Sequence, residues 1–228
     1  MKNAYEDTID ALFKARDLKF KEFSERIVRS DRPLIGVRTA DIRKTAKSVA
    51  KENAEEYLEK CEFAFYEDTL IYGLVIAGFP LKDFLFYLDG YLGKCDCWAH
   101  IDTFVPSVKC LKNKGNRENF FEIIKEKIFS AEGFYLRFYI VALMAYYLDE
   151  EHISFVLSAA EKLCGKGYYN DMAIAWLLSV SYIKFRERTE KVIISGKLDD
   201  FTRGKTISKI TDSYRVSEKD KAELKKYR

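Results

Sequence analysis

Two side chains that suit chemistry on a positively charged substrate lie close together in CWAHIDTFVPSVKCL, residues 97–111. Trp98 and Asp102 are four positions apart, so a helix places them on one face, one turn from each other. Asp102 is the one acidic residue between Cys97 and Arg117. An aromatic wall beside an isolated carboxylate can stabilise developing positive charge. The alternative is structural: Trp98 packs in the core and Asp102 caps a neighbouring helix.

Pro106 predicts a distortion next to this pair. Proline has no N–H group to bond with the carbonyl of Asp102, four residues earlier. We therefore expect the helix to kink at Pro106 and to leave that carbonyl without its helical donor.

A single charge in an apolar helix is the second signal. Arg137 is the one charged residue in FYLRFYIVALMAYYL, residues 134–148, and a guanidinium buried in such a helix needs a partner. Either it pairs with a carboxylate on a neighbouring helix, or its planar fork reaches a phosphate. Trp176, in MAIAWLLSVSYI (residues 172–183), is by itself typical of a core side chain.

The cysteines and histidines favour neither a metal site nor a nucleophile. Cys95, Cys97 and His100 form a C-x-C-x-x-H pattern, but no second ligand pair matches it and His152 is distant. We therefore expect no metal. The sequence also lacks the phosphate-binding, dinucleotide-binding and hydrolase motifs. Five scattered cysteines, an odd number, are expected to be reduced thiols.

Helical periodicity predicts the elements that must position these residues, and no two-residue alternation indicates a strand. About a dozen helices with short connectors favour antiparallel neighbours, and a helix-pair period of roughly 35–40 residues is that of HEAT-like units. We predict an all-α HEAT-like helical repeat solenoid (an α-α superhelix), whose concave face is the usual binding surface of such folds; a compact bundle is the alternative. Predicted helices cover residues 4–15, 18–29, 54–60, 66–78, 81–93, 97–112, 118–130, 134–148, 151–164, 169–184, 187–194, 202–214 and 218–227. A further helix after Thr39 is predicted to contain Ile42, Thr45, Ala46 and Val49.

Local signals give the ends and faces of some helices. Asp31, Pro33 and Gly36 predict a break after the second helix. Thr39 and Ser217 are predicted to be N-caps of the helices that follow them. The buried stripe of the second helix is predicted at four positions: Phe20, Phe23, Ile27 and Val28.

The composition indicates a globular protein. A chain of 228 residues with 48% hydrophobic and 33% charged residues suits one domain over residues 1–228. It has no run of 18 uncharged apolar residues, and MKNAYEDTID is acidic where a signal peptide needs an apolar stretch. We therefore expect a cytoplasmic monomer. Residues 184–228 contain 14 Lys or Arg and 8 Asp or Glu, a net +6 in a chain of net charge +3, which is compatible with nucleic acid.

The spacing of four residues resembles that of the AlkD-type DNA alkylation repair family: Trp98, Asp102, Arg137 and Trp176. The likeness covers nearly the whole chain. It extends to the segments IGVRTADIRKTAK (35–47), CWAHIDTF (97–104), YYNDMAIAWLLS (168–179) and DFTRGKTISKITDSYRVS (200–217).

The resemblance implies a DNA glycosylase without metal or organic cofactor. Such enzymes excise positively charged N3- or N7-alkylated purines from duplex DNA and leave the lesion in the stack, whereas most enzymes acting on bases extrude them. By this resemblance, Asp102 stabilises the oxocarbenium-like sugar and helps to place water. Trp98 and Trp176 pack against the deoxyribose and backbone, and Arg137 holds the phosphate.

The sequence departs from the family pattern near Trp176. Asp171 and Met172 stand where the family's glycosylases tend to carry basic residues, and the next basic residue is Lys184. A DNA-binding protein of the same lineage without catalysis, or a protein-binding scaffold, are therefore alternatives. Further phosphate contacts are predicted at five positions: Arg38, Arg43, Lys109, Lys205 and Lys209.

Overall fold

The computed structural model describes residues 2–228, and helices make up most of that range. These residues form fourteen α-helices and no strand, which confirms the all-α class. Within the same range, no helix combines the length and apolar character that a membrane crossing requires. The helices are α1 (Ala4–Lys14), α2 (Leu18–Ile27), α3 (Thr39–Glu52), α4 (Ala54–Lys60), α5 (Tyr66–Ile76), α6 (Leu81–Leu92), α7 (Trp98–Phe104), α8 (Lys114–Lys127), α9 (Gly133–Tyr146), α10 (Ile153–Leu163), α11 (Tyr168–Lys184), α12 (Arg186–Ile194), α13 (Asp200–Thr211) and α14 (Glu218–Leu224).

Polar side chains explain where some helices begin. Asn3 accepts a hydrogen bond from the backbone N–H of Glu6, and the Glu6 carboxylate accepts one from the N–H of Asn3. This capping box satisfies two donors at the start of α1. Ser217 Oγ accepts a hydrogen bond from the N–H of Asp220 at the start of α14, which confirms the predicted cap.

The predicted cap at Thr39 is wrong by one position. Arg38 occupies the N-cap, and its side chain makes no capping hydrogen bond. Its backbone is extended, and its carbonyl already accepts a hydrogen bond from the N–H of Ile42 at 3.0 Å. Thr39 is therefore the first residue inside α3, because the helical bonding begins one residue earlier than the side-chain pattern suggested.

The helix predicted over residues 97–112 is interrupted at Pro106. The α-helix ends at Phe104, and two short 3-10 turns follow at Val105–Ser107 and Cys110–Lys112. Ser107 Oγ donates to the carbonyl of Thr103 at 2.9 Å, so a side chain satisfies a helix-end acceptor. The distortion expected at Pro106 is confirmed, and the continuous helix is wrong because proline cannot extend the α-helical ladder.

The Cα positions form two compact units, residues 1–121 and 122–228, which divide inside α8. In the first, α3 packs more extensively on α5 than on α4, and α5 also contacts α7. In the second, α11 packs more extensively on α9 and α13 than on its sequence neighbours α10 and α12. Alternate helices therefore form a packed row within each unit. The single domain over residues 1–228 stays a prediction.

A buried carboxylate fixes the connection between α2 and α3 in the first unit. Glu67, on α5, is 1% exposed and accepts hydrogen bonds from the N–H groups of Ile35, Gly36 and Val37 at 2.9, 2.7 and 3.2 Å. Gly36 has a φ of +97°, and a Cβ there would lie 2.5 Å from Lys21 Cβ. The turn therefore requires glycine at position 36. The Glu67 carboxylate accepts hydrogen bonds from three backbone N–H groups of this turn, which satisfies them in the protein interior.

The apolar face of α2 lies largely at the surface. Phe23 is 58% and Ile27 46% exposed, Phe20 and Val28 are half-buried, and Ser24 is the buried residue of this helix. The predicted buried stripe is therefore wrong at Phe23 and Ile27. Periodicity identifies the apolar side of a helix but not whether a neighbour covers it, and among the described residues α2 packs extensively on no other helix.

The second unit has an apolar core built on α11 and α13. Ala173, Ile174, Leu177 and Leu178 of α11 are buried. A further cluster closes the end of the unit and contains Tyr182, Ile193, Ile207, Ile210, Val216 and Leu224. Val216 belongs to the loop between α13 and α14, so this loop is anchored to the core at one residue.

Candidate nucleic-acid interface

Trp98 and Asp102 lie on the same short helix, as their spacing predicts. α7 begins at Trp98 and contains both residues, and both side chains are half-buried. The indole Nε1 of Trp98 donates to the carbonyl of Ile27 at 3.4 Å, which is long for such a bond. The Trp98 ring therefore lies between α7 and the end of α2.

A groove of about 310 Å³ opens beside Trp98. Its walls are mainly apolar and come from α2, the connection to α3, α3 itself, α5 and α7. The residues that line it include Phe20, Phe23, Ile27, Val28, Leu34, Val37, Trp98 and Thr103. An aromatic and aliphatic groove of this kind suits a flat, weakly polar group such as a base or a sugar face.

Arg43 lies next to the end of α7. Its Nη1 donates to Ser107 Oγ at 3.0 Å, and Ser107 Oγ in turn donates to the carbonyl of Thr103. One of the predicted phosphate contacts is therefore connected by hydrogen bonds to the residue that follows Asp102. Arg43 is exposed, so its remaining donors face outward.

Asp96 is a residue that the sequence reasoning missed. Its carboxylate accepts hydrogen bonds from Ser30 Oγ at 2.9 and 3.0 Å, from the N–H of Asp31 at 3.1 Å and from Arg32 Nη1 at 2.8 Å. His100 Nδ1 lies 3.3 Å from Asp96 Oδ1. Asp96 therefore ties the segment after α2 to the start of α7. In the sequence, the one signal that could have indicated Asp96 is that it lies two residues before Trp98.

The charges around Asp96 favour its ionised form. Burial by itself raises the pKa of this carboxyl, but the neighbouring His100 ring, Ser30 and Arg32 outweigh burial and lower the pKa to about 2. A hydrogen-bonded carboxylate next to a guanidinium behaves in this way. Asp96 is therefore an anion at neutral pH.

Arg137 is buried in the second unit. It lies on α9, is 5% exposed, and its Nη1 donates to the backbone carbonyl of Tyr169 on α11. Aromatic contact between Phe134 and Tyr169 joins the same two helices. The structure thus gives this guanidinium a backbone acceptor, and its pairing with a carboxylate or a phosphate stays a prediction.

Trp176 lines a groove and is not fully buried. The side chain is half-buried on α11 and faces a groove of about 430 Å³ that Lys209 and Arg215 also line. Tyr214, between those two residues in sequence, is wholly exposed. The lining also contains one carboxylate, Asp212, and an aromatic ring beside two cations suits a nucleic-acid backbone. The sequence reasoning predicted Lys209 but missed Tyr214 and Arg215.

Asp171 has a structural role. Its carboxylate accepts hydrogen bonds from the N–H groups of Gly165 and Lys166 at 2.8 and 3.1 Å, and it is buried at the start of α11. Burial raises the pKa of Asp171 in spite of these bonds. Asp171 anchors this loop and does not line the groove beside Trp176. Its carboxylate therefore does not add a negative charge to the lining of that groove.

The other predicted basic residues have local partners or exposed positions. Arg38 pairs with Asp17 at 2.8 Å and lies over the Phe20 ring at 5.1 Å. Lys205 is exposed, 5.6 Å from the centre of the Phe201 ring. Lys109 is also exposed. Surface pairs of this kind are weak, so a phosphate can compete for Arg38.

The structure brings the predicted residues together in two groups. In the first unit Trp98 and Asp102 lie on α7 and Arg43 bonds to Ser107 just after that helix, and in the second unit Trp176 and Lys209 share one groove. All five cysteines are free thiols. No protein-family model matches the sequence, and no curated protein is similar to it.

Proposed function

We propose that this protein is a HEAT-like solenoid that binds duplex DNA along its rows of alternate helices. Within each unit, those rows carry most of the residues predicted to contact DNA. Arg43 is on α3, Trp98 and Asp102 on α7, Arg137 on α9, Trp176 on α11, and Lys205 and Lys209 on α13. This concentration on odd-numbered helices is the observation that carries the proposal, because repeat proteins bind through one face.

The proposed reaction is excision of positively charged N3- or N7-alkylated purines, in line with the resemblance to the AlkD-type family. An alkylated purine is already a good leaving group, so the protein needs to favour positive charge on the sugar and to position water. Asp102 supplies the negative charge. The Trp98 ring beside it offers a π face to the developing cation, and the lesion stays in the stack.

In this proposal, the groove beside Trp176 binds the DNA backbone. Trp176 packs against the sugar and backbone, while Lys209 and Arg215 contact phosphates. Arg137 is buried and bonded to the Tyr169 carbonyl, so in this proposal it exchanges that bond when it contacts a phosphate. Lys205 is a further exposed cation on α13, the helix that also carries Lys209.

DNA binding and base release test the proposal together. We expect the affinity for methylated duplex DNA to fall steeply with salt, because cations on the protein replace condensed counterions. We also expect the bound protein to release 7-methylguanine under single-turnover conditions. Salt-sensitive binding without release would support the DNA-binding alternative without catalysis.

A protein-binding scaffold is the second candidate, and one observation favours it. Leu18, Phe23 and Ile27 leave α2 with an exposed apolar face, and such faces often mark protein contacts. A scaffold would bind DNA weakly at all salt concentrations. Salt-independent, weak DNA binding would therefore favour this candidate over the glycosylase.

A further inference from the structure

Three side chains with metal-ligand atoms converge at the start of α7. Asp96, Cys97 and His100 each contribute one such atom, and these atoms lie within 4.8 Å of one another. Cys97 and His100 are fully buried. The spacing i, i+1, i+4 brings them together because α7 begins at Trp98 and turns His100 back toward the residues before the helix.

The His100 ring is oriented with one nitrogen toward this cluster. Its Nε2 lies 3.2 Å from the carbonyl of Tyr66, and a carbonyl can only accept, so Nε2 carries the proton. The ring also stacks on the Tyr66 ring, with centroids 5.0 Å apart. Histidine ligands of metals are typically held in this way, with the second nitrogen donating to a carbonyl.

The other nitrogen, Nδ1, is buried and lacks a hydrogen bond. Among the described residues no group forms one with it, although Asp96 Oδ1 is 3.3 Å away. The distance is short enough for contact, but the geometry is not that of a hydrogen bond. A buried polar atom without a partner calls for an explanation, and an ion between Nδ1 and Oδ1 supplies one.

The Asp96 carboxylate is also positioned to contact an ion at this cluster. Its Oδ2 accepts from Ser30, from the N–H of Asp31 and from Arg32, while Oδ1 accepts from Ser30 Oγ at 3.0 Å and faces His100. Such outer hydrogen bonds orient a carboxylate ligand. The observed separation of 3.3 Å between Nδ1 and Oδ1 equals the edge of a tetrahedron with metal–ligand bonds of about 2.0 Å.

We propose that Asp96 Oδ1, Cys97 Sγ and His100 Nδ1 bind a zinc ion, with water in the fourth position. Thiolate, imidazole and carboxylate together suit Zn²⁺ among the common divalent ions. On binding, the Cys97 sulfur exchanges its proton for the metal, and the proton passes to solvent. The ion fixes the segment around residues 30–32 against the start of α7, and therefore the position of Trp98. The expectation of no metal rested on the lack of a second ligand pair to match Cys95, Cys97 and His100; in the proposed set, Asp96 is a ligand and Cys95 is not.

Cobalt titration tests this site directly, because Co²⁺ replaces zinc and reports its ligands by visible absorption. We expect one Co²⁺ per chain, with a thiolate-to-cobalt charge-transfer band. Cys97→Ser and Asp96→Asn should lose that band. Cys95→Ser is the matched control and should keep it, because Cys95 Sγ bonds to the Tyr91 carbonyl.

X-ray absorption of the zinc-loaded parent protein needs no variant and keeps the test decisive if a variant fails to fold. We expect one sulfur at about 2.3 Å and nitrogen or oxygen atoms at about 2.0 Å. A zinc site without sulfur, a cobalt band that survives Cys97→Ser, or no stoichiometric binding would overturn the proposal. In the last case, nitrogen NMR showing protons on both His100 nitrogens would identify an imidazolium–carboxylate pair. None of these outcomes depends on DNA binding.

Discussion

Two carboxylates six residues apart, Asp96 and Asp102, have different surroundings. Asp96 holds the segment after α2 through Ser30, Asp31 and Arg32, while Asp102 is half-buried one turn after Trp98. The same local sequence thus contains a positioning carboxylate and a candidate catalytic one. Their separate roles could not be read from residue type, since the loop residues that bond to Asp96 are more than 60 positions away in the chain.

A test at the residue scale concerns the cations of the Trp176 groove. Lys209→Ala should weaken binding to all duplex sequences alike, and should reduce the slope of log affinity against log salt by about 1, because one phosphate contact is lost. Fluorescence anisotropy at several salt concentrations measures both. Lys226→Ala removes the same charge from an exposed position outside the groove. Equal effects of the two substitutions would show that the groove does not contact phosphate.

The elements were largely predictable from the sequence. Helical periodicity and the cap at Ser217 place most helix ends within one or two residues of those observed, although the cap predicted at Thr39 is wrong by one position. Side-chain exposure was less predictable. The stripe of α2 is apolar yet exposed at Phe23 and Ile27, since burial depends on a neighbour far away in sequence. Trp176 differs from its expected core position for the same reason.

At the element scale, Glu67 should be a major contributor to the stability of the first unit. Glu67→Gln removes the charge that accepts three backbone hydrogen bonds, and we expect the free energy of unfolding to fall by about 1.5–3 kcal/mol. Urea denaturation followed by circular dichroism measures the change. Glu55→Gln, on the exposed face of α4, should change it by less than about 0.5 kcal/mol. A similar, small effect of both changes would show that the Glu67 bonds are not needed.

Asp68 gives the first unit a predicted pH dependence. Burial raises the pKa of this carboxyl, although Phe65 N–H and Tyr5 Oη donate to it at 3.2 and 2.9 Å. Because the folded pKa exceeds the unfolded value of about 3.9, the folded state binds more protons between the two values. The contribution of Asp68 is therefore fully present below about pH 4 and is lost as pH rises through the folded pKa.

Asp68→Asn tests this linkage. Unfolding by urea at a series of pH values above about 4 should show a weaker decrease of the unfolding free energy with pH in the variant than in the parent protein. Asp7→Asn, at an acidic residue in the first turn of α1, is the control for the general effect of removing a negative charge. An unchanged pH dependence in Asp68→Asn would contradict the assignment.

At the scale of the whole molecule, each unit contains its own row of alternate helices, and that row packs together segments that are distant in sequence. Trp98 and Asp102 belong to one row, and Arg137, Trp176 and Lys209 to the other. Sequence spacing predicted which residues matter for the proposed chemistry. It could not predict that Arg137 bonds to the Tyr169 carbonyl or that Arg215 lines the Trp176 groove, because these depend on packing between helices.

The most direct measurement of the proposed activity is single-turnover release of 7-methylguanine from methylated duplex DNA by the parent protein, Asp102→Asn and Asp83→Asn. Asp83 is an exposed carboxylate on α6, so its variant controls for loss of one negative charge. We predict release by the parent and by Asp83→Asn, and a loss of about 100-fold or more in Asp102→Asn with DNA affinity retained. Release by Asp102→Asn at the parental rate, or no release by the parent protein, would contradict the proposed glycosylase.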